Sequence, residues 1–105
     1  MGKVFLYVEF QACKPFGQVD FLASKREMDK FPGLISKTWL SGRGNNSLGG
    51  FYQFETAEQA VAYTDGLLVP LAKKMDTTVS TKLFDAEIVR DACISMRSPY
   101  FPAAG

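Results

Sequence analysis

A chain of 105 residues can hold one domain with its own hydrophobic core but has no room for a second. Its formal net charge is +1, and the twelve Lys and Arg residues are scattered, so the basic patch of a nucleic-acid-binding protein is missing. The apolar run at residues 4–8 stops at Glu9 and is too short for a signal sequence or a membrane span. We therefore expect a cytoplasmic protein that binds neither nucleic acid nor membrane.

The first half of the chain predicts a strand, a helix and a hairpin. Residues 3–11 alternate apolar side chains on one side with mixed ones on the other, which is typical of a strand covered on both sides. Residues 18–30, with Val19, Leu22 and Ala23 among their apolar positions, predict a moderately amphipathic helix that ends before Pro32. Two β-rich runs, 34–41 and 47–54, flank a Gly- and Asn-rich turn and predict a hairpin.

The second half predicts a long helix and a fourth strand. The pattern Thr-Ala-Glu-Gln at residues 56–59 is a capping box, in which the side chains of Thr56 and Gln59 satisfy backbone donors at a helix start. Apolar residues then repeat at helical spacing over residues 57–74, and Pro70 is expected to kink or shorten this helix. Residues 77–87 are rich in Thr and Val and predict a strand, whereas the chain after Asp91 is expected to be irregular.

The resulting order, β-α-β-β-α-β, predicts an α+β fold of the ferredoxin-like type. Its four-stranded antiparallel sheet would carry both helices on one face. Because the strands have apolar residues in both alternation registers, the other face would expose a large apolar patch, which favours a homodimer with sheets packed face to face. We assign residues 1–90 to the ferredoxin-like domain and residues 91–105 to a C-terminal tail that acts as a lid or a dimer clasp.

The absence of histidine limits the chemistry. Without imidazole the chain lacks the commonest metal ligand, the usual haem ligand and the usual general base. Cys13 and Cys93 form no metal-binding pattern and are expected to be free thiols, with no disulfide between them. Asp85, Glu87 and Asp91 are spaced too loosely for a metal site, so no metal is expected.

Several short motifs together resemble those of the YdhR-like mono-oxygenase family. The resemblance covers roughly residues 4–87, is most specific in residues 31–54, and includes Pro-Phe-Gly at 15–17, Pro32-Gly33 with Lys37 and Trp39, Gly-Gly-Phe-Tyr at 49–52, and Lys-Leu-Phe-Asp at 82–85. The family is part of the dimeric α+β barrel superfamily, which also contains antibiotic-biosynthesis mono-oxygenases. The resemblance implies a homodimer in which a phenolic or anthrone-like substrate reacts with molecular oxygen without flavin, haem or metal.

Such chemistry needs an apolar pocket, a group that takes a proton and donors that stabilise an oxyanion. Trp39 and Lys37, on one side of their strand, are candidates for an aromatic wall and a cationic donor, although a core Trp and a solvent-facing Lys are as plausible. Glu9 is the candidate base, because apolar neighbours would raise its pKa. The alternative for Glu9 is a carboxylate at the dimer seam, paired with Lys82 or Lys37.

The candidate substrate-binding residues are mostly aromatic. Tyr7, Tyr52 and Tyr63 have hydroxyls that can hydrogen-bond a substrate oxygen, but packing with the hydroxyl at the rim explains them as well. Asn45 can orient a substrate from the hairpin tip, although turn geometry alone accounts for it. Phe84 of the fourth strand completes the set.

The sequence thus predicts a homodimeric, cofactor-independent mono-oxygenase that acts on a small hydrophobic or aromatic hydroxylated substrate. Two other functions remain open on the same scaffold. One is an isomerase or decarboxylase, which would consume no oxygen, and the other is a dimeric small-molecule-binding protein without catalysis.

Overall fold

The computed structural model describes residues 2–11 and 14–101. The strands β1 (Val4–Phe10), β2 (Leu34–Ser41), β3 (Leu48–Phe54) and β4 (Val79–Asp85) form one sheet in the order β2-β3-β1-β4, with every neighbouring pair antiparallel. This is the ferredoxin-like α+β topology that the sequence predicts. In the hairpin turn between β2 and β3, Gly44 and Asn46 have φ angles of 75° and 55°. Glycine and asparagine adopt such positive φ values more readily than other residues, as the sequence predicts for this turn.

Two helical segments pack on the inner face of the sheet. Helix α1 (Phe21–Met28) is shorter than predicted, because Phe16–Gln18 forms a separate 3₁₀ turn and the Asp20 carboxylate then accepts the Ala23 N–H at 3.1 Å to start the helix. The second segment comprises α2 (Ala57–Tyr63), a π-helical turn (Thr64–Leu68) and α3 (Val69–Lys74). Leu22, one of the apolar positions of the predicted amphipathic helix, is 57% exposed and lies outside the core.

Half of the predicted capping box forms at the start of α2. The Thr56 hydroxyl accepts the Gln59 N–H at 3.1 Å, as predicted. The Gln59 side-chain oxygen, in contrast, has no hydrogen-bond partner among the described residues and lies over Gly33. Gly33 has a φ of 90° and lacks the side chain that would collide with this oxygen.

The π-helical turn directly precedes the helix that contains Pro70 and accommodates this proline. Proline has no N–H to donate to the carbonyl four residues earlier, so a regular helix is disturbed at this point. The helix widens by one residue, and the Val69 N–H donates to the carbonyl of Thr64. The predicted kink therefore takes the form of a wider turn, which places Leu68 in the core.

The main core lies between the inner sheet face and the helices. Alternate side chains of β1 and β3 supply it from the sheet, and the helices cover them. Its buried members are Val4, Leu6, Val8, Phe10, Met28, Tyr52, Phe54, Ala60, Tyr63, Leu68 and Ala72.

The C-terminal segment packs on the opposite, outer face of the sheet. Residues after Asp91 were expected to be irregular, but Arg90–Ser95 forms a short helix, α4. Beyond it, the rings of Tyr100 and Phe101 each lie 5.7 Å from that of Phe5, and Tyr100 lies 5.3 Å from Phe51. Part of the outer face is therefore covered by the chain itself. The C-terminal segment and the two helical segments lie on opposite faces of the sheet.

Cys93 of α4 is a half-buried free thiol. The prediction for Cys13 lies outside the described residues. None of the helices in the described part of the chain has the length and apolar character needed to cross a bilayer.

Candidate active site

A cavity of about 230 Å³ lies between the inner sheet face and the helices. Lys37 and Trp39 are two residues apart on β2 and therefore point to the same face. On the neighbouring strand, Tyr52 pairs with Lys37 and Gly50 pairs with Trp39. The structure thus brings together three of the predicted site residues, and apolar helix residues close the cavity, among them Ala23, Met28, Leu68 and Leu71.

The amine of Lys37 lies among apolar groups. Its Nζ is 3.4 Å from the centroid of the Trp39 ring, 4.8 Å from that of Tyr52 and 3.6 Å from the Met28 sulfur. The ion pairs of the described residues are Lys25–Asp29 and Lys30–Glu27, so within this part of the chain no carboxylate pairs with Lys37. Lys37 is partly buried, and a lysine withdrawn from water in this way without a counter-ion is uncommon in proteins.

Two effects act on the pKa of Lys37 in opposite directions. The ring faces of Trp39 and Tyr52 attract an ammonium ion, by about 1–2 kcal/mol in a desolvated setting. Burial removes the hydration of the ammonium and favours the neutral amine. Burial is the stronger effect and lowers the pKa of Lys37 from 10.5 to about 7. At neutral pH a substantial fraction of the Lys37 side chains is therefore uncharged and able to accept a proton.

The pH dependence of stability tests this description of Lys37. Between the folded pKa of about 7 and the unfolded value of 10.5, the unfolded chain binds a proton that the folded chain releases. The free energy of unfolding should therefore rise between about pH 7 and about pH 9, by up to about 1.4 kcal/mol per pH unit. Urea titrations of the wild type and Lys37→Met across this range measure the effect. Equal slopes for the two proteins would contradict a lowered pKa.

Gly50 provides the space that the Lys37 side chain occupies. A Cβ atom built on Gly50 would lie 2.8 Å from Cε of Lys37 and 2.9 Å from Cε1 of Tyr52. Both distances are shorter than carbon atoms tolerate, so any larger residue would displace one of the two side chains. The glycine on β3 is thus part of the site although it carries no functional group.

We expect Gly50→Ala to displace the Lys37 amine from the cavity. The substitution should lower the free energy of unfolding by about 1–3 kcal/mol and return the pKa of Lys37 toward its ordinary value. Lysine titration by NMR together with urea denaturation measures both changes. Gly17→Ala is the matched control, because a Cβ atom there meets nothing within 4 Å. A Lys37 titration that is identical in the Gly50 and Gly17 variants would rule out this role of Gly50.

Tyr63 lies behind Tyr52 and does not line the cavity. Its hydroxyl donates a hydrogen bond of 2.9 Å to the Tyr52 hydroxyl, and both residues are fully buried. Burial raises the pKa of Tyr63 to about 12, and burial together with the Tyr63 hydroxyl raises the pKa of Tyr52 well above its usual range. Both phenols therefore stay protonated at neutral pH and act as hydrogen-bonding groups rather than as bases.

Glu9 and Tyr7 lie on the outer face of the sheet and not in the cavity with Lys37. They pair with each other through a hydrogen bond of 2.8 Å from the Tyr7 hydroxyl to the Glu9 carboxylate, which raises the pKa of Tyr7. Gln11 donates a second hydrogen bond of 3.0 Å to Glu9. Because the sheet separates Glu9 from Lys37, the prediction that both act on one substrate does not fit this geometry.

The remaining predicted site residues are also outside the cavity. Asn45 belongs to the hairpin turn, where its side-chain oxygen accepts hydrogen bonds from the backbone N–H and hydroxyl of Ser47 at 3.1 and 2.8 Å. Turn geometry therefore explains this residue. Phe84 lies on the outer face and is 48% exposed, so it belongs to the surface that the C-terminal segment partly covers.

The family of the chain follows from a match that extends over most of its sequence. A family model described as "Putative mono-oxygenase ydhR" matches residues 5–93. The chain belongs to this family. The resemblance read from the Trp39 and Gly-Gly-Phe-Tyr motifs is therefore confirmed.

Solved structures share the fold of this family member. SnoaB, a cofactor-independent oxygenase from Streptomyces nogalater, superposes with a TM-score of 0.60 at 18% identity, over 82% of this chain and 94% of that one. The ActVA-Orf6 monooxygenase of Streptomyces coelicolor, solved with the ligand nanaomycin D, gives a TM-score of 0.60 at 12% identity, over 81% of this chain and 88% of that one. No curated protein matches the chain in sequence. These likenesses establish the shared fold.

Several residues of the cavity were not found by sequence reasoning. Met28 approaches the Lys37 amine, and Asp20 and Lys14 line the same cavity. The apolar spacing of the helices indicated residues that face the sheet, but not which of them border an empty space. Within residues 2–11 and 14–101, no cluster of acidic or cysteine side chains is arranged to hold a metal ion.

Proposed function

We propose that this protein is a cofactor-independent mono-oxygenase that acts on a small aromatic, hydroxylated substrate in the cavity beside Lys37. The observation that carries the proposal is the Lys37 amine, which faces an apolar cavity between Trp39 and Tyr52 and whose pKa burial lowers to about 7. Membership of the mono-oxygenase family and the fold shared with a cofactor-independent oxygenase support it.

Lys37 takes the role of the general base in this proposal, in place of Glu9. The neutral amine accepts the proton of the substrate hydroxyl and becomes an ammonium beside the new oxyanion. The attraction between the two charges is stronger than in bulk water, because the partly buried amine lies among apolar groups. The base is thus also the group that stabilises the anion it forms.

The aromatic residues position the substrate and hold the charged lysine. The ring of Trp39 provides a flat wall against which an aromatic substrate can stack. Once protonated, Lys37 stays over the ring faces of Trp39 and Tyr52, which attract cations. The oxyanion of an anthrone-type substrate is electron-rich and supplies the electrons for oxygen. In the net reaction a CH₂ group and O₂ give a C=O group and one water.

A homodimer forms part of the proposal, with the outer sheet face as its interface. An apolar depression on this face includes Phe84, Ile88 and Val89, which are 48%, 82% and 38% exposed. Apolar side chains that are exposed side by side are typical of association surfaces. The C-terminal segment borders the same depression, so a second copy would contact it.

Oxygen consumption tests the function directly. A hydroxylated anthrone is incubated with the purified protein and a metal chelator, while an oxygen electrode and chromatography follow oxygen and product. We expect one oxygen consumed for each quinone formed. Conversion without oxygen consumption would identify an isomerase or decarboxylase, and binding with return of unaltered anthrone would identify a binding protein. Either result would overturn the oxygenase proposal for this substrate class.

A further inference from the structure

The Lys37 amine can act as a nucleophile as well as a base, and this goes beyond the proposed function. It borders two spaces, the inner cavity and a groove of about 360 Å³ at the β2 edge of the sheet. Its neighbours within 5 Å include a thioether sulfur and two aromatic rings. None of these groups carries a negative charge that would hold the lysine as an ammonium ion.

We propose that Lys37 forms a covalent imine with apolar aromatic aldehydes and ketones that enter the cavity. The nitrogen lone pair attacks the carbonyl carbon, and the π electrons of the carbonyl move to its oxygen. One proton passes from nitrogen to this oxygen and gives a carbinolamine. The second N–H proton is then lost to the hydroxyl group, which leaves as water as the C=N bond forms. One amine and one carbonyl compound thus give one imine and one water, with no oxidation or reduction.

The surroundings of Lys37 suit such an adduct. A planar aromatic carbonyl compound can stack on Trp39 while its carbonyl carbon meets the nitrogen. The imine nitrogen, once protonated, remains over the ring faces of Trp39 and Tyr52. Its positive charge draws electrons from the adjacent carbon atoms, so bonds next to the former carbonyl group are weakened.

Few charged groups surround the amine. Lys14 and Asp20 line the inner cavity with it, and Tyr52 is neutral at the pH of interest. Lys25 and Asp29 line the outer groove and are paired with each other. Burial, rather than any of these charges, lowers the pKa of Lys37 and supplies the free amine near neutral pH.

Reductive trapping tests the proposal. The protein is treated with 2-naphthaldehyde and sodium cyanoborohydride at pH 7, and peptide mapping by mass spectrometry locates the naphthylmethyl groups. We expect Lys37 to be modified on the order of tenfold faster than Lys30, Lys73 and Lys74, which are exposed to water and lie outside the cavity. Modification of Lys37 at the rate of these exposed lysines, or none at all, would overturn the proposal.

Two controls distinguish modification that depends on the cavity from the general reactivity of exposed lysines. Glyoxylate, a small polar aldehyde with a negative charge, should modify the exposed lysines and give Lys37 no advantage. Lys37→Met should lose the fast phase and keep the slow one, and if this variant does not fold, the wild-type peptide map decides by itself. The trapping needs no oxygen, so a negative oxygen-electrode result leaves this inference standing, and failure of the trapping leaves the oxygenase proposal standing.

Discussion

Replacing Lys37 with methionine should lower the turnover of a hydroxylated anthrone by about 10²–10⁴-fold, the usual contribution of a general base. Methionine fills a similar volume and keeps the apolar walls of the cavity, so substrate affinity should change much less than turnover. Lys37→Arg should be equally inactive, because the guanidinium stays protonated at every accessible pH and cannot accept a proton. Steady-state kinetics with separate kcat and KM values measure both effects.

The pH profile distinguishes a base from a residue that only shapes the cavity. In the wild type, kcat/KM should increase as Lys37 loses its proton and level off above a pH of about 7, the pKa of this amine. The residual activity of Lys37→Met should lack this limb. Lys30→Met is the matched control, since the Lys30 side chain is 67% exposed. Full activity of Lys37→Met with an unchanged profile would exclude Lys37 as the base.

Truncation after Arg90 should lower the free energy of unfolding by about 3–5 kcal/mol, because Tyr100 and Phe101 no longer cover the outer face. Phe5 is only 6% exposed in the complete chain and lies against both rings. Tyr100 also makes a hydrogen bond of 2.9 Å with Thr38 at the edge strand. The truncation should change the dimer affinity as well, since the segment borders the proposed interface, and leave ligand affinity in the inner cavity unchanged.

Sedimentation, urea denaturation and ligand titration on the truncated chain check these three expectations. The double substitution Tyr100→Ala with Phe101→Ala should reproduce most of the effect. Met96→Ala serves as the control, because Met96 lies in the same segment and is 71% exposed. A truncated chain with altered ligand affinity and unaltered dimer affinity would support a lid and contradict the clasp.

The sequence was informative about the local site because two strands of one hairpin, β2 and β3, carry Lys37, Trp39 and Tyr52. Lys37 and Trp39 share a face through the twofold repeat of β2, and the aromatic residue Tyr52 follows the Gly-Gly pair of the next strand. These relations depend on neighbouring positions, which a sequence pattern states directly. The choice of Lys37, Trp39 and Tyr52 as neighbours is therefore predictable.

Glu9 shows where sequence reasoning stops. A strand with apolar residues in both registers does not indicate which register faces the helices. Val8 and Phe10 are buried in the inner core, which directs Glu9 to the outer face beside Tyr7. A one-residue change of register would exchange these faces. Only the packed sheet therefore decides whether Glu9 lies on the same face as Lys37.

By itself, the sequence determined the β-α-β-β-α-β order and the ferredoxin-like topology, because periodicity and turn residues act over short distances along the chain. The resemblance of its motifs indicated the family. The tertiary structure decided the state of Lys37, since burial against Trp39, Tyr52 and Met28 lowers its pKa and no carboxylate of the described residues pairs with it. It also decided that the C-terminal segment covers the outer face. Desolvation and long-range packing arise from residues far apart in the chain, and no local pattern encodes them.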